Sequence, residues 1–167
     1  RLPWLLVGLL GGILGALVIG QYEDTLQIYP EMALFIPLIA AMGGNVGVQS
    51  SAIIVQGLAN NSLGFDNLFQ RLRKEFLVAL LNGVVCSILI FAYTILYKDS
   101  NELAATVSVA LVLVIIFAGL FGTFVPLMLD KFKIDPALAT GPFITTMNDI
   151  VGLFIYFGIG HLMYIWL

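Results

Sequence analysis

Leu103-Ala-Ala-Thr-Val-Ser-Val-Ala-Leu-Val-Leu-Val-Ile-Ile-Phe-Ala-Gly-Leu-Phe-Gly-Thr-Phe-Val-Pro-Leu-Met-Leu129 runs without a single charged side chain. A helix that crosses a bilayer needs about 20 mostly apolar residues, and this run is longer. Four further stretches read the same way on either side of it, at 3–21, 31–58, 74–97 and 141–167, with polar residues between them. The runs are long and continuous. A membrane β-barrel would instead show short segments of alternating polarity, so the spacing predicts five transmembrane helices and an all-α fold.

Composition agrees with that reading. Of 167 residues, 60% are hydrophobic and 10% charged, against about 25% charged in a soluble domain. So little charge cannot solvate the outside of a water-soluble core, which excludes disorder, an ordinary cytosolic enzyme and a nucleic-acid-binding module. The formal charge of −3 is too small to steer a macromolecular partner. The 17 glycines suit close packing of membrane helices. Cys86 stands alone in an apolar run, so it can form neither a disulfide within the chain nor a thiolate metal cluster. The chain opens Arg-Leu-Pro-Trp, and no small-residue cleavage site follows its first apolar stretch, so that stretch does not read as a signal peptide. A longer parent protein is expected.

Basic residues are retained on the cytoplasmic side of a membrane. Arg1, Arg71, Arg73, Lys74, Lys131 and Lys133 fall on one predicted face, and Lys98 alone falls on the other beside Glu23, Asp24, Glu31, Asp99 and Glu102. This predicts a cytoplasmic N-terminus and an outside C-terminus in the inner (plasma) membrane, with Trp4, Tyr22, Tyr29, Tyr97, Tyr164 and Trp166 near helix ends at headgroup level. Between the second and third runs, Phe65, Leu68, Phe69, Leu72 and Phe76 recur at helical spacing next to Arg71, Arg73 and Lys74. That pattern predicts an interfacial amphipathic helix, serving as a connector or as a docking surface for a soluble domain.

Polar groups inside hydrocarbon are unfavourable, so those present are informative. Asn82, Thr106, Ser108 and Thr123 read as packing groups satisfied by neighbouring helices, and His161 as an interfacial histidine. The second run is richer: Pro37-Leu-Ile-Ala-Ala-Met-Gly-Gly-Asn-Val-Gly-Val-Gln-Ser-Ser51. Asn45, Gln49 and Gln56 form one helical stripe, and Gly43, Gly44 and Gly47 open space for another backbone or for a hydrated ligand. Two readings stand, a glycine-lined helix contact with polar glue and the wall of a pore.

The fifth run contains Gly141-Pro-Phe-Ile-Thr-Thr-Met-Asn-Asp149, about 12 Å of helix rise before its carboxylate. Asp149 is the one acidic residue placed well inside a span, where a charge costs about 2.5 to 3.5 kcal/mol even on insertion scales. No Lys or Arg in a span can pair with it. Thr145, Asp149, Gly152 and Tyr156 share a face, which suits a cation pathway; a protonated Asp bonded to a neighbouring helix is the alternative. The hexamers Pro37–Met42 and Pro142–Met147 also match in size and hydrophobicity, as chance similarity or as a remnant of an inverted repeat.

With these two motifs in place, the chain resembles the transmembrane domain of the MgtE family of magnesium channels and transporters. The resemblance covers essentially the whole chain, 1–167, and is carried by the Pro37–Ser50 motif and by Asp135-Pro-Ala-Leu-Ala-Thr-Gly-Pro-Phe-Ile-Thr-Thr-Met-Asn-Asp149. It implies a homodimer whose magnesium pore runs along the subunit interface between spans two and five. It also implies cytoplasmic regulatory domains upstream, and Asp149 as the pore aspartate that recognises hydrated Mg²⁺, with a backbone carbonyl offered at Thr145. Mg²⁺ loses water reluctantly and is commonly held by one or two carboxylates. A two-fold axis would pair two copies of Asp149, with Asn148 and Asn45 as further expected contacts. The transported ion is then Mg²⁺, the partners are the bilayer and a second copy, and no enzymatic activity is expected. A carrier for Mg²⁺ or another divalent cation, coupled to a gradient, is the alternative.

Overall fold

The computed structural model describes residues 2–60, 62, 68–98, 100–139 and 141–166. Their regular structure is helical: α1 (Leu2–Gln21), α2 (Glu23–Ile28), a 3₁₀ turn (Pro30–Phe35), α3 (Ile36–Ala59), α4 (Leu68–Lys98), α5 (Asn101–Lys131), a second 3₁₀ turn (Pro136–Ala139) and α6 (Pro142–Trp166). Among the described residues, five helical segments are long and apolar enough to cross a membrane: Leu2–Gln21, Pro30–Ala59, Leu68–Lys98, Asn101–Lys131 and Pro142–Tyr164. They correspond one to one to the five runs expected from the sequence.

Local chemistry sets the boundaries. Pro30 opens the first 3₁₀ turn, where its fixed φ fits and its missing N–H is no loss. Ser100 caps α5, its hydroxyl accepting from the Leu103 N–H at 3.3 Å. Gly141, at φ +78°, makes the left-handed step that leads into Pro142 and α6. Inside α5, Pro126 has no N–H to give the Gly122 carbonyl.

α5 is the hub, packed against α3, α4 and α6, while α1 lies on α6. In its most apolar window 61% of residues are buried, against 11% in the equally long α4, so α4 lies at the rim. The core joins Ile39 of α3, Val107, Leu111, Val114 and Ile115 of α5, and Leu153 and Phe157 of α6. Outward-facing residues of α1 and α4, including Leu5, Leu9, Leu81, Ile88 and Leu89, are exposed and apolar, the surface a bilayer would cover.

Hydroxyls fasten the seams. Ser87 of α4 donates to the Ser108 carbonyl of α5, and Ser108 donates back to the Ser87 carbonyl at 3.2 Å. At the end of the bundle holding the first 3₁₀ turn, Tyr156 donates to the Met32 carbonyl at 2.9 Å, and the rings of Tyr22 and Phe157 stack at 4.7 Å. The expected packing role holds for Ser108. Thr106 and Thr123 are buried as expected, but their hydroxyls have no hydrogen-bond partner among the described residues, and Asn82 is exposed.

The connector departs from its expected form. Residues 68–76 are the first turns of α4, not a separate helix lying in the interface. Nothing between Leu68 and the apolar run breaks a helix, so propagation, cheap once a helix has nucleated, carries straight through. Phe65 lies outside the described residues, as do Arg1 and Asp99.

Candidate functional site

The site lies in a groove between α3 and α6. Ala40, Ala41, Gly44, Asn45, Val48 and Gln49 of α3 face Thr145 and Asp149 of α6 across an open groove of about 360 Å³. Helical spacing explains the grouping: Ala41, Asn45 and Gln49 follow at four-residue intervals on α3, and Thr145 and Asp149 do so on α6. Gly44 faces both α6 residues. A methyl group added there would stand 3.6 Å from Asp149 Oδ1 and 3.6 Å from Thr145 Cγ2, in ordinary contact.

Three of the four expected ion contacts, Asp149, Thr145 and Asn45, therefore meet at one groove, and Gln49 joins them. Asn148 does not. It is 1% exposed and points into the bundle, where the space left by Gly47 receives its amide; its Oδ1 and Nδ2 have no hydrogen-bond partner among the described residues. One residue along a helix is about 100° of rotation, so neighbours such as Asn148 and Asp149 serve different faces. The stripe on α6 is also shorter than its spacing implies. Gly152 packs against Val114 and Ile39, and Tyr156 is fully buried on the Met32 carbonyl, so only its first two members reach the groove.

Thr145 is fixed by its own helix. Its hydroxyl donates toward the Pro142 carbonyl at 3.1 Å and the Gly141 carbonyl at 3.3 Å, which leaves its oxygen lone pairs for another donor, such as the water of a hydrated ion. Asn45 and Gln49 are exposed along the opposite wall. Among the described residues no group of three or more His, Cys, Asp and Glu is placed to hold a metal ion. A cation here would meet one carboxylate, amides, a hydroxyl and water. A hexahydrated Mg²⁺, built from metal–oxygen distances of about 2.1 Å and a water radius of about 1.4 Å, fills roughly 180 Å³. The groove's volume is about twice that of such an ion.

Sequence reasoning missed Glu75. Reading span three from residue 74 put this carboxylate at a helix end, whereas α4 begins at Leu68 and carries Glu75 two turns in. There it accepts a hydrogen bond from Ser50 of α3 at 2.6 Å. The unbroken helical periodicity from Leu68 into the apolar run was the available signal.

The structure is an all-helical bundle with five helices long and apolar enough to cross a membrane, and one carboxylate and several neutral oxygens share a groove between two of them, a setting suited to a cation. The comparisons narrow it. The profile of the MgtE family, described as a divalent cation transporter, matches residues 36–159, and the chain belongs to that family. It is 38% identical over 159 residues to the magnesium transporter MgtE of Bacillus subtilis, covering 95% of this chain and 35% of that protein. With the magnesium transporter MgtE of Enterococcus faecalis it shares 35% identity over 162 residues, 97% of this chain and 36% of the relative. With that of Thermus thermophilus it shares 32% over 164 residues, 98% of this chain and 36% of the relative. The chain thus spans about a third of the length of each of these curated relatives.

Proposed function

We propose that residues 1–167 form the pore region of a magnesium channel of the cell membrane, through which hydrated Mg²⁺ enters along its electrochemical gradient. The observation that carries this reading is the Asp149 carboxylate on an open polar groove between α3 and α6, in a bundle whose outward faces on α1 and α4 are largely apolar. In a bilayer that groove would face lipid on one side unless another surface covered it. A second copy related by a two-fold axis covers it with the same surface, encloses the ion and supplies a second Asp149. Paired acidic side chains select cations by charge, while the carbonyl, hydroxyl and amide oxygens at Thr145 and Asn45 hold the ion's water. Asn148 then acts from behind, packed on Gly47, and is not a direct contact.

The basic residues put the N-terminus in the cytoplasm and the C-terminus outside. An inside-negative potential contributes about 4.6 kcal/mol per 100 mV for a doubly charged ion, so influx needs no coupled gradient and no chemical reaction. The test is Mg²⁺ uptake by proteoliposomes. Asp149→Asn abolishes it while the protein still folds and dimerises; wild-type flux in this variant sinks the assignment. Uptake that follows an imposed proton or sodium gradient would instead favour the coupled carrier.

A further inference from the structure

The groove wall on α3 is held from behind by a carboxyl group that the ion never meets. Ser50 follows Gln49 directly, on the opposite side of α3 from the groove, and is buried at 5% exposure. Its hydroxyl donates to Glu75 Oε1 of α4 at 2.6 Å. The same oxygen lies against α5, where a methyl group on Gly119 would stand only 3.0 Å from it. Three helices therefore converge on Glu75. Gly43 and Gly47 on this back face of α3 permit close approach, and Ile39 and Ile54 bury apolar side chains there, contacts that are non-directional. The Ser50–Glu75 hydrogen bond is directional, because it is lost when donor and acceptor move out of line.

We infer that Glu75 is a positioning residue for ion passage: through Ser50 it fixes the rotation of α3 that presents Asn45 and Gln49 to the groove. A carboxyl group bonded to a hydroxyl in a helix seam is otherwise hard to justify. Glu31 and Lys98, 3.7 Å apart, form an ion pair, but at the other end of α4. Glu75 is only partly buried, and the oxygen that meets the seam is the one bonded to Ser50. The inference rests on the pore reading of the groove.

The test uses the reconstituted protein with Cys86→Ser and a single reporter, Gln49→Cys, labelled by a water-soluble maleimide; flux is measured without the reporter. Ser50→Ala and Glu75→Ala each lower the labelling rate and the Mg²⁺ flux by about ten-fold, the size of one net hydrogen bond. Combining them is no worse than either alone, because they remove the same interaction. Glu75→Gln, whose amide oxygen still accepts from Ser50, retains both within about two-fold. If Glu75→Ala does not fold, Ser50→Ala and Glu75→Gln decide. Wild-type labelling and flux in Ser50→Ala overturn the inference, as does a Glu75→Gln variant as defective as Ser50→Ala, which would make the charge and not the hydrogen bond responsible. Retained flux in Asp149→Asn would sink the pore reading, whereas unchanged labelling in Ser50→Ala sinks only the role of Glu75.

Discussion

The two faces of α3 are built from similar small and polar residues yet do opposite things. On one face Gly43, Gly47, Ser50 and Ile54 are buried in a bundle where α3 packs on α5 and α6, and Ser50 also bonds Glu75 of α4. On the other, Ala41, Asn45 and Gln49 are exposed and line the groove with Asp149. Small residues on the first face bring helix backbones together; on the second they leave room for water and an ion. A glycine in a membrane helix therefore has no fixed meaning, and its neighbours in space decide which use it serves.

The largest expected effect breaks the packed face. A methyl group on Gly47 would overlap the Asn148 amide and stand 2.8 Å from Ile144 Cγ2, and the Gly47 carbonyl itself lies against Gly122 of α5. Asn148 and Ile144 are both fully buried, so Gly47→Val should cost about 3 kcal/mol or more through overpacking. The expected outcome is loss of monodisperse protein in size-exclusion chromatography and a collapse of the thermal transition, before any question of transport arises. A stable, well-folded Gly47→Val variant would show that this face is not the close contact described.

The groove face should respond in the opposite way. Asn45→Leu or Gln49→Leu replaces an exposed polar group and removes no packing, so the melting temperature in detergent should stay within a few degrees. Each loses about one net hydrogen bond to the ion's water, so Mg²⁺ flux should fall about ten-fold. A loss of stability without loss of flux would invert the assignment of the two faces.

How much of this contrast was legible follows from what periodicity can carry. The five spans were readable because length and hydropathy are properties of single segments. The stripe of Asn45 and Gln49, and that of Thr145 and Asp149, were readable because four-residue spacing fixes a face. Which way the remaining residues turn depends on the partner helix. Hence Asn148, adjacent to Asp149, read as an ion contact and lies buried on Gly47, and Tyr156, in register with Asp149, reaches the Met32 carbonyl instead of the groove. Glu75 was hidden for a third reason. Its role comes from Ser50, a residue 25 positions away in sequence and in another helix.

The smallest effect is also the sharpest comparison, because it adds a side chain at a glycine only three residues before Gly47. Gly44→Ala places a methyl group 3.6 Å from both Asp149 Oδ1 and Thr145 Cγ2, ordinary contact distances that require no movement. Replacing glycine by alanine inside a helix favours the fold by up to about 1 kcal/mol, so the thermal transition should hold or rise. The added methyl still stands between the two walls next to the carboxylate, where it displaces water the ion would use. Mg²⁺ flux in proteoliposomes should therefore fall by about two-fold, an increment of roughly 0.4 kcal/mol. Stability and transport then move in opposite directions at Gly44, which packing alone would not produce. If stability drops in step with flux, Gly44 belongs with Gly47 on the packed face, and the groove begins at Asn45.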